Sequence, residues 1–318
     1  MAVYTPLTDE NVATLLAQYD IGPASACEGI AEGVENTNYK VTTPTGRYIL
    51  TIFEKRVAET DLPFFMAVME RLAARDFPAP RPIPTRDGKM LTRVKGKPAA
   101  IVSFLDGAWP RMVELHHCGA VGETLARMHV ALADFAGTRT NALSLRGWET
   151  LLVPRLDEAE KLRPGLAELV RKDMMAVRMA WRTDLPLGVI HADLFPDNAL
   201  FTGAALTGVI DFYFACTDAL AYDLAVCLNA WCFDGPRYDV ERGRVMIAAY
   251  ESVRPLSDLE RSMLPMLARG AALRFFATRL TDWAATPTGA TVTPKDPLEY
   301  ADKLAFHRTA RGAADYGA

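Results

Sequence analysis

Residues 188–214, GVIHADLFPDNALFTGAALTGVIDFYF, carry three oxygen-bearing side chains at spacings that suit phosphoryl transfer. Asp193 follows a short apolar run through Val189 and Ile190, and Asn198 comes after four intervening residues. Apolar runs at 199–201 and 206–210 flank a glycine-containing turn, so the spacing predicts a hairpin that brings Asn198 close to Asp211. Moving a phosphoryl group is mostly a matter of positioning and charge neutralisation. A carboxylate must accept or orient the proton of the receiving hydroxyl, and Asp193 fits that part. Hard oxygen ligands must hold Mg²⁺, which commonly takes one or two carboxylates and fills its shell with water and phosphate; Asn198 and Asp211 fit that part. His191 is expected to pack behind the loop and bond its backbone. Asp and Asn also cap turns and end strands, but that reading is the weaker one for three such residues together.

The elements that must position these groups change character along the chain. Thr8 is placed to cap a helix through Val12, Leu15 and Leu16. Residues 27–30, 38–42 and 47–53 read as strands, with Pro44-Thr45-Gly46 turning the last two into a hairpin. Helical spacing returns over 62–75, with Pro63 tolerated in the first turn. PAPRPIP at 78–84 must be extended. Strands follow around 90–94 and 99–104. Beyond Leu105-Asp106-Gly107 the pattern is mainly helical: 114–133, 166–181, 218–233 and 258–283, with a last short helix after a Gly, Pro and Thr-rich stretch at 286–297. The expected class is α+β: a small antiparallel sheet lobe with one inserted helix over 1–105, and a larger, mainly helical lobe with the catalytic β-hairpin over 106–318.

Composition narrows the function classes. Of 318 residues, 50% are hydrophobic and 23% charged, ordinary for a globular chain, and the net charge of −4 with no basic run gives no sign of a nucleic-acid surface. Five scattered cysteines without a C-x-x-C pair argue against a disulfide framework and a zinc site, and suit a reducing cytoplasm. No secretory signal and no membrane-spanning run is expected.

The segment His191-Ala192-Asp193-Leu194-Phe195-Pro196-Asp197-Asn198, with Ile210-Asp211-Phe212, resembles the catalytic and metal loops of the aminoglycoside phosphotransferase-like branch of the protein-kinase-like fold. Ala192 stands where protein kinases have Arg, and Tyr213 where they have Gly. Within that branch the chain is most similar to homoserine kinases of the phosphotransferase-like type. Glu35-Asn36-Thr37-Asn38-Tyr39, Gly46-Arg47-Tyr48-Ile49-Leu50-Thr51, HADLFPDNALF, IDFYFAC and Tyr222-Asp223-Leu224-Ala225 carry that likeness. The resemblance implies a bilobal fold, ATP and Mg²⁺, and phosphorylation of L-homoserine to O-phospho-L-homoserine on the way to threonine. It also implies a cytoplasmic monomer or small homo-oligomer without nucleic-acid or membrane partners. Composition and spacing alone support only a Mg-nucleotide phosphotransferase acting on a small hydroxyl compound.

The resemblance further implies a nucleotide site with Gly29, Gly33 and Asn36 in a phosphate-covering turn, and Ser103 and Leu105 in an interlobe connector facing adenine. Where the family usually has a third-strand Lys or Arg, this chain has Thr51; Lys40 or Lys55 could supply the charge, and Glu59 or Glu70 the usual helical partner. For the acceptor's carboxylate an arginine fork is expected, Arg274 ahead of Arg269 and Arg279, with Asn229 and Trp231 lining the pocket. His116-His117 is expected at the surface, Met174, Met175 and Met179 in helix packing, and His129 as a satisfied core histidine. Two alternatives stand beside this reading. One is another small-molecule kinase of the fold, acting on an aminoglycoside, choline or a sugar. The other is a nucleotide-binding pseudokinase, for which Thr51 speaks.

Overall fold

The computed structural model describes residues 4–30, 36–54, 57–286 and 294–318. Thr8 caps the first helix, α1 (Asp9–Leu16), by accepting from Asn11 N, while Asn11 bonds back to Thr8 N. Strands β1 (Ala26–Gly29), β2 (Thr37–Thr43), β3 (Gly46–Ile52), β4 (Thr92–Val94) and β5 (Lys97–Ser103) form one antiparallel sheet in the order β1-β2-β3-β5-β4. Helix α2 (Leu62–Ala73), with Pro63 in its first turn, is inserted between β3 and β4.

Strand alternation gives the sheet two uses. Tyr39 and Val41 of β2, with Leu50 and Ile101, pack on Val12, Leu15 and Leu16 of α1 in a small core. Asn38, Thr51 and Ala100 are in register across β2, β3 and β5, so they share the opposite face. That face meets α2, and Ala100, Val102 and Phe65 belong to the large core that runs on into the helical lobe.

The helices of the second lobe are α3 (Leu115–Ala131), α4 (Leu145–Leu152), α5 (Leu156–Leu162), α6 (Leu166–Ala180), α7 (Leu220–Trp231), α8 (Val240–Glu251), α9 (Asp258–Ala285) and α10 (Leu298–Thr309). Between α6 and α7 lie β6 (Leu187–Ile190), β7 (Ala199–Thr202), β8 (Ala205–Val209) and β9 (Cys216–Ala219), paired antiparallel as β6–β9 and β7–β8. The connector from the sheet is pinned to the β7–β8 hairpin. Ala108 and Phe201 exchange backbone hydrogen bonds at 2.9 Å, and Thr207 Oγ1 donates to Asp106 O at 2.7 Å. Gly107 crosses there at φ +136°, and a Cβ on it would lie 2.7 Å from Thr207 Oγ1, so no side chain fits.

The expected α+β architecture is present. Three helices escape the sequence reading, α4, α5 and α8, as does β9. Two minor expectations are corrected. His117 is buried, because its Nδ1 accepts the Glu114 amide at the start of α3 and its ring meets Phe201; His116 alone is exposed. Met174 packs against the core, whereas Met175 and Met179 point to solvent. Among the described residues no helix is long and apolar enough to cross a membrane.

Candidate active site

The loop after β6 is built from behind. Asp223, fully buried on α7, accepts from His191 N at 2.7 Å on Oδ2 and from Ala192 N at 2.8 Å on Oδ1. Its Oδ2 also lies 3.1 Å from His129 Nε2, and His129 Nδ1 is 2.8 Å from the Tyr250 hydroxyl. Burial alone would raise the Asp223 carboxyl, but the bonds from His129 and His191 outweigh it and hold the group below the usual carboxylate range. His129 is thus the satisfied core histidine expected. Arg274 of α9, 2% exposed, completes the frame. Its Nη1 donates to Ala192 O, and its Nη2 lies 3.6 Å from Asp193 Oδ1. The guanidinium also stacks 4.4 Å from the Phe275 ring centroid. Ala192 is thereby held in the left-handed region at φ +64°, a conformation costing a non-glycine residue on the order of 1–3 kcal/mol unless its surroundings enforce it.

His191 is sealed inside the same frame. Asp193 N donates to its Nδ1 at 3.2 Å, so the proton resides on Nε2 and is donated to Ile210 O at 3.0 Å. Burial pushes its pKa down, and the ring stays neutral. It therefore joins the Asp193 loop to the end of β8, as the sequence suggests.

Asn198 closes the front. Its Nδ2 donates to Asp193 O at 2.8 Å and approaches Asp193 Oδ2 at 3.4 Å. Its backbone oxygen accepts from Ile210 N at 3.0 Å, which places Asp211 directly beside it. Asp211 is itself left-handed, at φ +64°, where the chain leaves β8 for a short turn of helix. Because Nδ2 is committed as a donor, Oδ1 is the Asn198 atom suited to a cation. Among the described residues no group of three His, Cys, Asp or Glu side chains forms a protein-only metal cage. An amide oxygen and one carboxylate fit Mg²⁺ that draws its other ligands from phosphate and water.

The remaining expected site residues fall in several places. Gly29 ends β1, exposed and opposite Tyr39. Gly33 and Lys55 lie outside the described residues. Asn36 is buried, and its Oδ1 accepts from Glu54 N at 3.3 Å. Ser103 ends β5 with its amide donated to Arg81 O at 2.8 Å, and Leu105 opens the connector. Lys40 is half exposed on the α2-facing side of the sheet, 3.8 Å from Glu28 and 5.8 Å from the Phe104 ring centroid. Thr51 is 2% exposed, and its Oγ1 donates to Asn38 Oδ1. Glu59 pairs with Arg93 and Glu70 is exposed, so neither partners the third strand.

The three acceptor candidates are buried behind the Asp193 loop. Arg274 bonds the loop as described. Trp231 is fully buried and donates its indole N–H to Leu194 O at 2.8 Å. Asn229 is also fully buried, bonded to Ala225 O, Ala268 O and His307. Arg269 pairs with Asp173, and Arg279 with Glu299, so the three arginines face three directions, as their five-residue spacing requires. The sequence reading missed an exposed ion pair on the front of the loop. Lys295 Nζ sits 3.5 Å from Asp197 Oδ2 and 5.6 Å from the Phe195 ring, which packs on Phe275. Asp223 was also missed as a loop anchor; a lone carboxylate in the apolar run LAYDLAVCLNAW was the available signal.

Comparison with known proteins shows the family. The model of the phosphotransferase enzyme family matches residues 26–256. The chain is 54% identical over 318 residues to a homoserine kinase of Rhodospirillum rubrum, covering 100% of this chain and 99% of that one. It is 56% identical over 319 residues to a homoserine kinase of a Methylobacterium strain, with the same coverage. Among solved structures, an amicoumacin kinase in complex with AMP-PNP, Ca²⁺ and its ligand superposes with TM-score 0.69 at 16% identity, covering 95% of this chain and 92% of that one. A microcompartment-associated aminopropanol kinase gives 0.68 at 20%, covering 96% and 97%. At those identities the structural likeness speaks for the fold.

Proposed function

Since the chain belongs to the phosphotransferase enzyme family, and within it to the homoserine kinases, we propose that it transfers the terminal phosphoryl group of ATP to the side-chain hydroxyl of L-homoserine, yielding O-phospho-L-homoserine and ADP. The observation that carries the chemistry is the double role of Asn198. Its amide holds Asp193 while its backbone holds the residue before Asp211. End-to-end identity with homoserine kinases supports the acceptor.

Asp193 orients the hydroxyl of the acceptor and takes its proton as the oxygen attacks the phosphorus in line. Arg274 and Asn198 fix the carboxylate from two sides, so little motion is needed on reaction. Bound Mg²⁺, held by Asn198 Oδ1 and Asp211, would neutralise phosphate charge. The nucleotide would lie under the sheet, with Gly29 and Asn36 near its phosphates and Ser103 and Leu105 along its base. Homoserine is a zwitterion, and the Asp197–Lys295 pair, with Lys295 over the Phe195 ring, offers both signs. Asp197 meets the ammonium and Lys295 the carboxylate.

A panel of hydroxyl acceptors with ATP and Mg²⁺ tests the proposal. Preferred turnover of L-homoserine is expected. Turnover of choline, a sugar or an aminoglycoside with none of homoserine would overturn the acceptor.

A further inference from the structure

Kinases of this fold ordinarily join the lysine of the third strand to a glutamate of the inserted helix, and that pair sets the roof of the nucleotide site. Here the strand position is Thr51, 2% exposed, with Oγ1 donating to Asn38 Oδ1 at 2.8 Å. Glu59 and Glu70 point elsewhere. The roof must be held by something else.

Two residues of the helical lobe reach up to it. Tyr213, two positions past Asp211, is wedged edge-on between Phe53, just beyond β3, and Phe65 of α2, with centroids at 5.1 and 5.8 Å. Its hydroxyl lies 3.5 Å from Thr51 Oγ1, which extends the line to Asn38. Arg139, in the segment between α3 and α4, donates Nε to Asp61 Oδ2 at 2.6 Å, at the start of α2. The same guanidinium donates to Ala215 O at 3.1 Å and lies 5.0 Å from the Phe65 ring centroid. Arg139 is itself fastened to β9, exchanging bonds with Thr217 at 2.7 and 3.2 Å. Arg139 therefore ties α2, and Tyr213 ties both α2 and β3, to the segment that begins with Asp211.

We infer that Arg139 and Tyr213 are positioning residues that clamp the nucleotide roof onto the metal loop, in place of the strand-to-helix ion pair. The clamp sets the distance between sheet and Asp211 from the catalytic lobe, so a cation on the third strand is not needed for closure. Charge toward the phosphates and closure of the lobes become separate tasks. Thr51 performs a part of the second, which explains how a kinase retains function without a basic residue there.

The inference rests on the phosphotransfer reading of the site. Its test is calorimetric affinity for Mg-ATP, which needs no acceptor, together with kcat on homoserine and thermal melting, in Asp61→Asn, Arg139→Gln and the double variant. Each single change is expected to weaken Mg-ATP binding about tenfold, the double variant to be no worse than either single, and melting to move by only a few degrees. Arg139→Lys should recover part of the loss through Asp61 alone. Thr51→Ser, which keeps the hydroxyl, should bind Mg-ATP better than Thr51→Val. Wild-type nucleotide affinity in both single variants, or losses that add and track the melting temperature, would overturn the clamp. Wild-type protein that binds Mg-ATP but leaves homoserine untouched would overturn the acceptor assignment and not the clamp.

Discussion

Ala192 donates its backbone N–H to Asp223 Oδ1 at 2.8 Å, across 31 residues of chain. Its carbonyl is taken by Arg274, so the left-handed peptide before Asp193 is gripped at both ends. Changing Asp223 to Asn replaces one acceptor oxygen by an amide NH2, which must then face either Ala192 N on the Oδ1 side or His191 N and His129 Nε2 on the Oδ2 side. Stability is expected to fall by about 3 kcal/mol, as for a broken buried pair, and kcat by about a hundredfold through misplacement of Asp193. Urea unfolding and steady-state kinetics check this; a variant with wild-type kcat contradicts it.

Stability should decline as solutions become mildly acidic. His307 is buried between the Tyr316 hydroxyl and Asn229 Oδ1, at 2.8 and 2.9 Å. Burial, helped by Arg269, Lys303 and Arg308, pushes its pKa down to about 3. In the unfolded chain the same group titrates near 6.5, so between those values the unfolded state binds the extra proton and stability falls as pH falls. The expected slope is about 1.4 kcal/mol per pH unit for this one histidine, with His191 adding in the same direction. Urea unfolding at pH 7 and pH 5 should show the drop, and His307→Gln should flatten it by close to one proton. An unchanged slope in that variant contradicts the assignment.

Lys295 should discriminate acceptors by their carboxylate. Lys295→Ala is expected to raise KM for homoserine about tenfold at nearly constant kcat, the signature of lost uniform binding. Any turnover of 3-aminopropan-1-ol, the homoserine analogue without the carboxylate, should be unaffected. Equal losses on both compounds would remove Lys295 from the acceptor site.

Much of this frame is legible along the chain, because it is local. Thr8, Pro63 and Pro44-Thr45-Gly46 each act on neighbours in sequence and place α1, α2 and the β2–β3 hairpin within a few residues. The β7–β8 hairpin is local too, so Asp193, Asn198 and Asp211 can be brought together on spacing alone. Helices α4 and α5 are short and separated by Pro154, which hides their periodicity. Strand β9 exists through pairing with β6, nearly thirty residues earlier, and carries no alternation of its own. The same reason explains Arg274, Asn229 and Trp231. Their residue types suit a ligand, but long-range packing turns them toward loop backbone and core. Asp223 and Arg139 make contacts that no spacing reveals.

Asp211 should act through the metal. Asp211→Asn is expected to lower Mg-ATP affinity about tenfold or more while binding of ATP in EDTA stays near wild type, since the carboxylate serves the cation rather than the nucleotide. Calorimetry in both buffers checks this, and equal weakening with and without Mg²⁺ contradicts it.

Asp193→Asn separates chemistry from binding most directly. In that variant kcat for homoserine should fall about 10²–10⁴-fold while calorimetric Mg-ATP affinity stays within a few-fold of wild type. A variant that keeps wild-type turnover, or one that loses nucleotide affinity in step with rate, would show that Asp193 is not the group receiving the proton.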